Sequence, residues 1–220
     1  MLEKAGTIVV WGRMSTAPKQ EQTAHPTDRE HLLGQQGCVV WLTGLSGSGK
    51  TTIARGLERK LLADGHLCYI LDGDVIRRGL NGDLGFSPED RAENIRRIGH
   101  VAALFADAGV IAVTAFISPY RADRRQARAC VPPRRFIEVY LNTPLEVCEQ
   151  RDRKGLYEKA RAGEIPSFTG VSAPYEPPEE PELTLDTAQS GPSACIGEIV
   201  QFLTRHGLLQ PPASQEDDEP

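Results

Sequence analysis

The sequence predicts an α/β fold, a doubly wound parallel sheet in three layers with a mobile lid. Apolar runs alternate with amphipathic stretches between residues 37 and about 141, which is typical of a parallel sheet with helices on both faces. The first apolar run leads directly into a glycine-rich loop. From residue 154 to 182 the composition changes to Gly, Pro, Lys, Arg and Glu with few aliphatic residues, as in a long loop or lid.

The glycine-rich loop is the most specific of these features. Residues 44–51 read Gly-Leu-Ser-Gly-Ser-Gly-Lys-Thr. The backbone N–H groups of such a loop point at phosphate oxygens, and the helix that follows adds its positive N-terminal end. Lys50 would reach the β- and γ-phosphates of ATP, and Thr51 would hold Mg²⁺. We therefore predict a P-loop NTPase fold rather than an unrelated domain with a glycine-rich turn.

Four strands are predicted along the chain. The first, residues 38–42, has no polar alternation, which suits a central parallel strand buried on both faces. The other three are residues 67–71, 110–117 and 136–141.

Helices are predicted between these strands and near the end of the chain. Apolar residues at helical spacing follow the loop from Ile53 to Leu62, and Gly65 would end that helix. The sequence Ser87-Pro88-Glu89-Asp90 predicts another helix start, with an N-cap serine and a proline in the first turn. Its apolar stripe is Ile95, Ile98, Ala102 and Phe105, and its opposite face carries Arg96, Arg97 and Asp107. A last amphipathic helix is predicted at about residues 194–206.

We predict one domain, residues 35–207, with the lid at about residues 154–182. Residues 1–34 would form a polar, partly disordered N-terminal arm, and residues 208–220 a disordered acidic tail. With 25 Lys and Arg against 30 Asp and Glu, the net charge of −5 argues against nucleic acid as the main partner. Five scattered cysteines without a Cys-x-x-Cys pair indicate reduced thiols in a cytoplasmic protein. No apolar run is long enough to span a membrane.

Two carboxylates, Asp72 and Asp74, follow the second predicted strand. Ligands of open α/β sheets bind at the carboxyl ends of the strands. In a phosphoryl transferase one carboxylate can accept the proton of the attacking hydroxyl, while another orients Mg²⁺ or its waters. An acidic turn is the structural alternative, and the neighbouring P-loop favours a functional role.

Arginines are frequent downstream of this turn in an otherwise acidic chain, which suggests an anionic second substrate. The set comprises Arg77, Arg91, Arg96, Arg97, Arg121, Arg124 and Arg125. Arg77 and Arg91 follow the acidic turn and the capped helix start, both expected at the ligand edge of the sheet. A solvated helix face is favoured for Arg96, Arg97, Arg124 and Arg125.

Other candidate residues lie after the third strand and in the lid. Ser118 would lie close to the transferred group, where it could bind substrate, carry phosphate or simply cap the chain before Pro119. Phe86 and Phe168 lie in polar segments, where each suits either stacking on a purine or anchoring a loop. The lid also carries basic side chains that could neutralise phosphate charge or form a solvated helix, namely Lys154, Lys159 and Arg161.

Together these segments resemble the adenylyl-sulfate kinase (APS kinase) family. The resemblance rests on Gly-Leu-Ser-Gly-Ser-Gly-Lys-Thr-Thr at 44–52, Leu-Asp-Gly-Asp at 71–74, the run 84–97, Phe-Ile-Ser-Pro-Tyr-Arg at 116–121, and Gly-Leu-Tyr at 155–157 with Phe-Thr-Gly at 168–170. It covers about residues 35–187, and its middle three motifs are not shared by P-loop kinases in general. It implies an ATP-dependent enzyme of sulfate assimilation that transfers the γ-phosphoryl group of MgATP to the 3′-hydroxyl of adenylyl sulfate, giving 3′-phosphoadenylyl sulfate and ADP.

The resemblance also implies roles for individual residues. The implied catalytic residues are Lys50, Asp72, Asp74 and Ser118. The implied ATP-binding residues are Gly44, Leu45, Ser46, Gly47, Ser48, Gly49, Lys50, Thr51 and Thr52, and Thr51 would hold Mg²⁺ with the ATP phosphates. The implied adenylyl-sulfate contacts are Asp74, Arg77, Phe86, Arg91, Asn94, Ile117, Ser118, Lys154 and Phe168, with the two phenylalanines enclosing the adenine.

Ser118 matches a position described in the family as a phosphoserine intermediate, but direct in-line transfer is chemically sufficient and is favoured. A homodimer and a functional link to a sulfate adenylyltransferase are implied as well.

The sequence departs from the family pattern at three places. Val75 stands where Asn is usual, Arg153 where Pro often precedes Lys-Gly, and Pro166-Ser167 where Lys-Gly is more usual. The last change removes a positive charge and a flexible residue from the lid, so we expect it to alter substrate affinity. Two other hypotheses are a kinase of the same fold with another small hydroxyl substrate, and a nucleotide-binding interaction module that partners a sulfurylase without turnover.

Overall fold

A five-stranded parallel sheet runs through the structure, a computed structural model that describes residues 25–209. Its strands are β1 (Cys38–Thr43), β2 (Cys68–Asp72), β3 (Ile111–Ala115), β4 (Phe136–Leu141) and β5 (Leu183–Leu185). They lie in the order β2-β3-β1-β4-β5, and every neighbouring pair is parallel. The chain crosses from one side of β1 to the other between β3 and β4, which creates a crevice at the carboxyl ends of β1 and β3.

Helices cover both faces of this sheet. They are α1 (Pro26–Leu33), α2 (Lys50–Ala63), α3 (Gly73–Ile76), α4 (Pro88–Asp107), α5 (Arg121–Ala129), α6 (Leu145–Gln150), α7 (Leu156–Arg161) and α8 (Pro192–Arg205). Apolar side chains of α2 and α8, such as Leu57 and Ile199, pack on one face. Those of α4 and α5, such as Ile98 and Ala127, pack on the other. The predicted three-layer α/β fold is therefore confirmed.

The sequence patterns locate most of these elements correctly. All six residues of β1 are buried, as expected for a central strand. The start of α4 is confirmed, because the Ser87 Oγ accepts a hydrogen bond from the Asp90 backbone N–H at 3.1 Å. The apolar stripe of α4 differs at its end: Ala106 is buried, whereas Phe105 is half-buried and stacks on Tyr69 with ring centroids 5.1 Å apart. No prediction covered the short strand β5.

The two ends of the described chain pack against the domain. Helix α1 lies within the predicted polar arm, and Arg29 of this helix forms an ion pair with Asp107 at 3.1 Å. Leu208 and Leu209 are buried, and the Leu208 carbonyl accepts a hydrogen bond from the Gln36 N–H at 3.0 Å. The predicted tail boundary at residue 208 is therefore too early. The remaining parts of the predicted arm and tail lie outside the described residues.

Between residues 25 and 209, no helix combines the length and the apolar character needed to cross a membrane. All five cysteines lie in this range, and each is a free thiol.

Gly37 allows the start of β1 to approach the end of α4. A Cβ atom at this position would lie 1.9 Å from the Ala106 carbonyl oxygen and 2.8 Å from the Gly109 Cα. We expect Gly37→Ala to lower the free energy of unfolding by ~2 kcal/mol or more, because backbone must move to make room. Gly197→Ala is the matched control: an added Cβ there meets nothing within 4 Å, and the better helix propensity of alanine should raise stability by about 0.5–1 kcal/mol. Urea unfolding of both variants measures the difference, and equal stabilities would contradict the packing argument.

Candidate active site

The predicted site residues gather at the carboxyl edge of the sheet. The P-loop follows β1, Asp72 ends β2, and Ser118 lies just after β3. Because these strands are neighbours in the parallel sheet, their ends bring together segments that are far apart in sequence. The edge therefore collects the phosphate loop, two carboxylates and the turn that carries Ser118.

The P-loop packs closely on the rest of the domain, which explains its glycines. Gly47 has a φ of +78°, in the left-handed region that favours glycine. A Cβ atom on Gly47 would also lie 2.5 Å from the Cys148 carbonyl oxygen of α6. The backbone conformation and the close approach thus both require glycine here.

Lys50 bends back over the loop. Its Nζ donates hydrogen bonds to the carbonyl oxygens of Gly44 at 2.8 Å and Leu45 at 2.6 Å. The side chain is buried, and burial lowers the pKa of Lys50 to about 8. A buried ammonium group held by neutral carbonyls gains electrostatic energy when it contacts phosphate oxygens instead.

The two carboxylates after β2 have different surroundings. Asp72 Oδ2 accepts a hydrogen bond from Thr51 Oγ1 at 3.3 Å, and its Oδ1 accepts one from the Asp74 backbone N–H at 2.9 Å. Asp74 is exposed, and its Oδ2 lies 2.9 Å from Lys154 Nζ of the predicted lid. A threonine hydroxyl beside a carboxylate is a pair of hard oxygen donors that fits Mg²⁺. Asp72 therefore turns toward the P-loop and Asp74 toward the lid.

Arg77 and Arg91 form a cationic cluster beside an exposed aromatic ring. The Arg77 guanidinium lies 4.4 Å from the centroid of Phe86, which is 62% exposed. Arg91 Nε donates to the Phe86 carbonyl oxygen at 3.0 Å. Among residues 25–209 neither arginine has a carboxylate oxygen within 4.0 Å. Burial lowers the pKa of both guanidinium groups. Two partly buried cations without ion-pair partners suit an anionic ligand.

The lid contacts this cluster from the other side. Arg91 Nη2 donates to the Ser167 carbonyl oxygen at 2.7 Å, so one guanidinium joins the segments that carry Phe86 and Phe168. The Phe168 ring packs edge-on against Tyr157 with centroids 5.0 Å apart, which anchors it within the lid. Ser167 has a φ of +53°, a conformation that favours glycine. The departure from Gly at this position therefore places backbone strain in the lid.

Three further residues that were predicted to contact adenylyl sulfate are less exposed to solvent. Asn94 is buried, and its Oδ1 accepts a hydrogen bond from Asn81 Nδ2 at 2.9 Å. Ile117 is half-buried, and its carbonyl oxygen accepts from Thr43 Oγ1 at 2.7 Å. Ser118 is only 2% exposed, and its Oγ lies 3.1 Å from Trp41 Nε1 and 3.0 Å from Thr43 Oγ1. The Ser118 hydroxyl thus belongs to an internal network.

One prediction about the arginines is wrong. Arg124 does not lie on a solvated helix face: it is buried, pairs with Glu138 at 2.6 Å and donates to the Ser118 carbonyl oxygen at 2.7 Å. Arg125 is exposed, as predicted. Arg96 and Arg97 are half-buried and form ion pairs with Glu93, and Arg97 also pairs with Asp83. Arginine spacing on a helix does not distinguish these cases, because the partner carboxylate of Arg124 comes from a strand.

The other basic candidate residues do not converge on one site. Arg121 pairs with Glu179 at 2.9 Å, and Arg161 pairs with Glu149. Lys159 is exposed on α7. Of the three basic side chains predicted in the lid, Lys154 is the one that reaches a candidate catalytic carboxylate, Asp74.

Some residues that brace the P-loop were not predicted. The Tyr157 hydroxyl donates to the Ser46 carbonyl oxygen at 2.9 Å, and Thr187 Oγ1 donates to the Ser48 carbonyl oxygen at 3.0 Å. Arg151 in turn donates to Thr187 Oγ1 at 2.9 Å. Tyr157 lies in the motif Gly-Leu-Tyr, so the sequence indicated that its segment matters but not that it contacts the P-loop. No local pattern distinguishes Arg151 or Thr187 from their neighbours.

Comparison with known proteins agrees with this geometry. The family model for adenylylsulphate kinase matches residues 36–186. An adenylyl-sulfate kinase from Clostridium acetobutylicum is 51% identical over 209 residues, which span 95% of this chain and 100% of that relative. The structure of the Mycobacterium tuberculosis APS kinase CysC in complex with AMPPNP and APS is similar with a TM-score of 0.74 and 48% identity, covering 77% of this chain and 99% of that chain. A hexameric APS kinase from Thiobacillus denitrificans gives a TM-score of 0.62 and 35% identity, covering 80% of this chain and 30% of that chain.

The pKa of Lys50 should make nucleotide binding depend on pH. At pH 8 about half of the Lys50 side chains are neutral, and phosphate charge favours the protonated form, so binding of MgATP should take up roughly half a proton. The uptake should shrink toward pH 7, where the free side chain is already protonated. Calorimetric titrations in buffers of different ionisation enthalpy measure this number.

Two variants provide controls for this measurement. Lys50→Arg should abolish the uptake, because a guanidinium stays protonated throughout the range. Lys60→Ala, which removes a surface lysine of the same helix, should leave it unchanged. An uptake that persists in Lys50→Arg would show that another group titrates.

Proposed function

Because the chain belongs to the adenylylsulphate kinase family, we propose that it transfers the γ-phosphoryl group of MgATP to the 3′-hydroxyl of adenylyl sulfate. The products are ADP and 3′-phosphoadenylyl sulfate. The family membership carries the choice of adenylyl sulfate, and the observation in the structure that supports a purine nucleotide as acceptor is the pair Arg77 and Arg91 beside the exposed ring of Phe86. This arrangement matches a ligand that combines an anionic group with a flat purine, as adenylyl sulfate does.

We propose that the two halves of the site bind the two nucleotides. Residues 44–52 bind the ATP phosphates, and Lys50 leaves the Gly44 and Leu45 carbonyls to contact the β- and γ-phosphates. Thr51 and Asp72 hold Mg²⁺, which neutralises phosphate charge when bound. On the acceptor side, the proposed contacts are Asp74, Arg77, Phe86, Arg91, Asn94, Ile117, Ser118, Lys154 and Phe168.

The surroundings of the two carboxylates suggest how the proton moves. The acceptor 3′-hydroxyl oxygen attacks the γ-phosphorus in line with the bond to ADP, which breaks, and the hydroxyl proton passes to a carboxylate. Both oxygens of Asp72 already accept hydrogen bonds, from Thr51 and from the Asp74 backbone. The Asp74 carboxylate is exposed, and although its Oδ2 pairs with Lys154, its Oδ1 accepts no hydrogen bond among the described residues. We therefore assign the proton to Asp74.

The internal network around Ser118 supports direct transfer. Thr43 uses its single hydroxyl proton on the Ile117 carbonyl, so the Ser118 hydroxyl donates its own proton to Thr43 Oγ1. The Ser118 Oγ also accepts from the Trp41 indole. Its hydrogen-bond partners among the described residues include no carboxylate or imidazole that could remove the proton and make it a nucleophile.

We also propose three further properties for this chain, each inferred from its family. They are a cytoplasmic location, a homodimer, and a functional link to a sulfate adenylyltransferase that supplies the acceptor. The molar mass in solution tests the oligomeric state, and a monomer at micromolar concentration would refute the dimer.

The activity itself is tested by ADP release in a coupled assay. We expect turnover with MgATP and adenylyl sulfate, and slower release when AMP replaces adenylyl sulfate. Lys50→Ala should lower kcat by roughly 100- to 1,000-fold, because it removes charge stabilisation from the transition state. Lys60→Ala on the same helix is the matched control and should keep the wild-type rate. Absence of ADP release with adenylyl sulfate would refute the proposal, and a preference for AMP would assign a different acceptor.

Ser118→Ala separates direct transfer from a phosphoserine intermediate. We expect kcat/KM for adenylyl sulfate to fall about tenfold, since the hydroxyl that ties the turn to Thr43 is lost but no covalent step is removed. The free energy of unfolding should fall by ~1–3 kcal/mol, because the buried Trp41 indole N–H loses its acceptor. Initial rates and urea unfolding measure the two effects. Complete loss of turnover in a folded variant would establish the phosphoserine route instead.

A further inference from the structure

Residues 175–177, here called the strap, cross the turn that carries Ser118. The Glu176 backbone N–H donates to the Pro119 carbonyl oxygen at 2.8 Å, and a Glu176 carboxylate oxygen accepts from the Arg121 backbone N–H at 2.8 Å. Arg124 donates to the Glu176 carbonyl oxygen at 2.7 Å and to the Ser118 carbonyl oxygen at 2.7 Å. Although the strap lies within the predicted lid, it is fastened to the start of α5.

Tyr175 of the strap joins the hydroxyl network at the end of β1. Its hydroxyl lies 2.9 Å from Thr43 Oγ1. Since Thr43 donates its own proton to the Ile117 carbonyl, Tyr175 must be the donor in this contact. Burial raises the pKa of Tyr175, so the hydroxyl keeps the proton that it donates. Thr43 therefore receives two hydrogen bonds, one from Tyr175 and one from Ser118.

Ser118 needs this support because its backbone is strained. Its φ of +41° lies in the left-handed region, which costs a residue with a Cβ on the order of 1 kcal/mol or more. Such a conformation persists only where the surroundings fix it. Here Thr43 bonds both the Ser118 hydroxyl and the preceding carbonyl of Ile117. Thr43 thus holds residues 117 and 118 together with Trp41 and Arg124, which bond the Ser118 hydroxyl and carbonyl. Tyr175 is the contact of Thr43 from the lid segment.

We propose that Tyr175 is a positioning residue for the phosphoryl acceptor: its hydroxyl fixes Thr43, and Thr43 holds Ile117 and Ser118 in the strained turn that faces adenylyl sulfate. This inference rests on the proposed kinase activity and on the acceptor contacts of Ile117 and Ser118. If it is correct, loss of the Tyr175 hydroxyl weakens the use of adenylyl sulfate, which binds in the acceptor half of the site. The ATP half depends on the P-loop, to which Tyr175 contributes no hydrogen bond among the described residues.

The test compares Tyr175→Phe with Tyr140→Phe. The two rings stack on each other with centroids 5.9 Å apart, but the Tyr140 hydroxyl donates to Asn142 outside the network, so the control removes the same atom from a neighbouring ring. We expect Tyr175→Phe to lower kcat/KM for adenylyl sulfate about tenfold, the loss typical of one hydrogen bond, while KM for MgATP stays within twofold. Tyr140→Phe should match the wild type in both constants.

A double-mutant cycle with Ser118→Ala shows whether Tyr175 acts through the turn. If it does, Tyr175→Phe lowers kcat/KM for adenylyl sulfate by clearly less in the Ser118→Ala background than in the wild type, since Ser118, one of the two residues that it positions, no longer bonds Thr43. Urea unfolding of each variant separates this effect from instability. Additive effects in the cycle, an equal rise in KM for both substrates, or wild-type kinetics of Tyr175→Phe would each overturn the inference. A wild-type protein that does not phosphorylate adenylyl sulfate would instead refute the proposed function.

Discussion

The buried guanidinium of Arg124 holds the acceptor side of the sheet together. It binds Glu138 of β4, the carbonyl of Ser118 after β3, and the carbonyl of Glu176 in the strap. A buried arginine without partners would cost several kcal/mol, so each of these three groups must stay in place once the side chain is inside. One cation thereby ties the loop after β3 and the strap to the rigid centre of the sheet.

Local chemistry explains why much of the molecule was predictable. The P-loop, the start of α4 and strand β1 are each specified by adjacent residues, through glycine conformations, a serine cap and an uninterrupted apolar run. Strand β5 was missed because only three residues pair and Leu185 alone among them is fully buried. An apolar pattern that short cannot be separated from an ordinary loop.

Among the residues of the candidate site, too, those specified by adjacent residues were predictable and those that depend on distant partners were not. Residues near one another in sequence, such as Lys50 and Thr51, could be assigned roles from their motif. Arg124 could not, because Arg125 beside it has the same chemistry and only the fold determines which one meets Glu138. The network of Trp41, Thr43, Ser118 and Tyr175 is likewise built from three segments that no periodicity connects. The long-range pairing of polar groups could therefore not be predicted from the sequence.

The link through Arg91 has a consequence for the thermodynamics of recognition. By donating to the carbonyls of Phe86 and Ser167, one guanidinium connects the segments on both sides of the proposed purine slot. These bonds restrict both segments within the folded chain, which lowers the conformational entropy that a ligand would otherwise have to remove from them. The contacts of a ligand in this slot then contribute more to affinity and less to loop ordering.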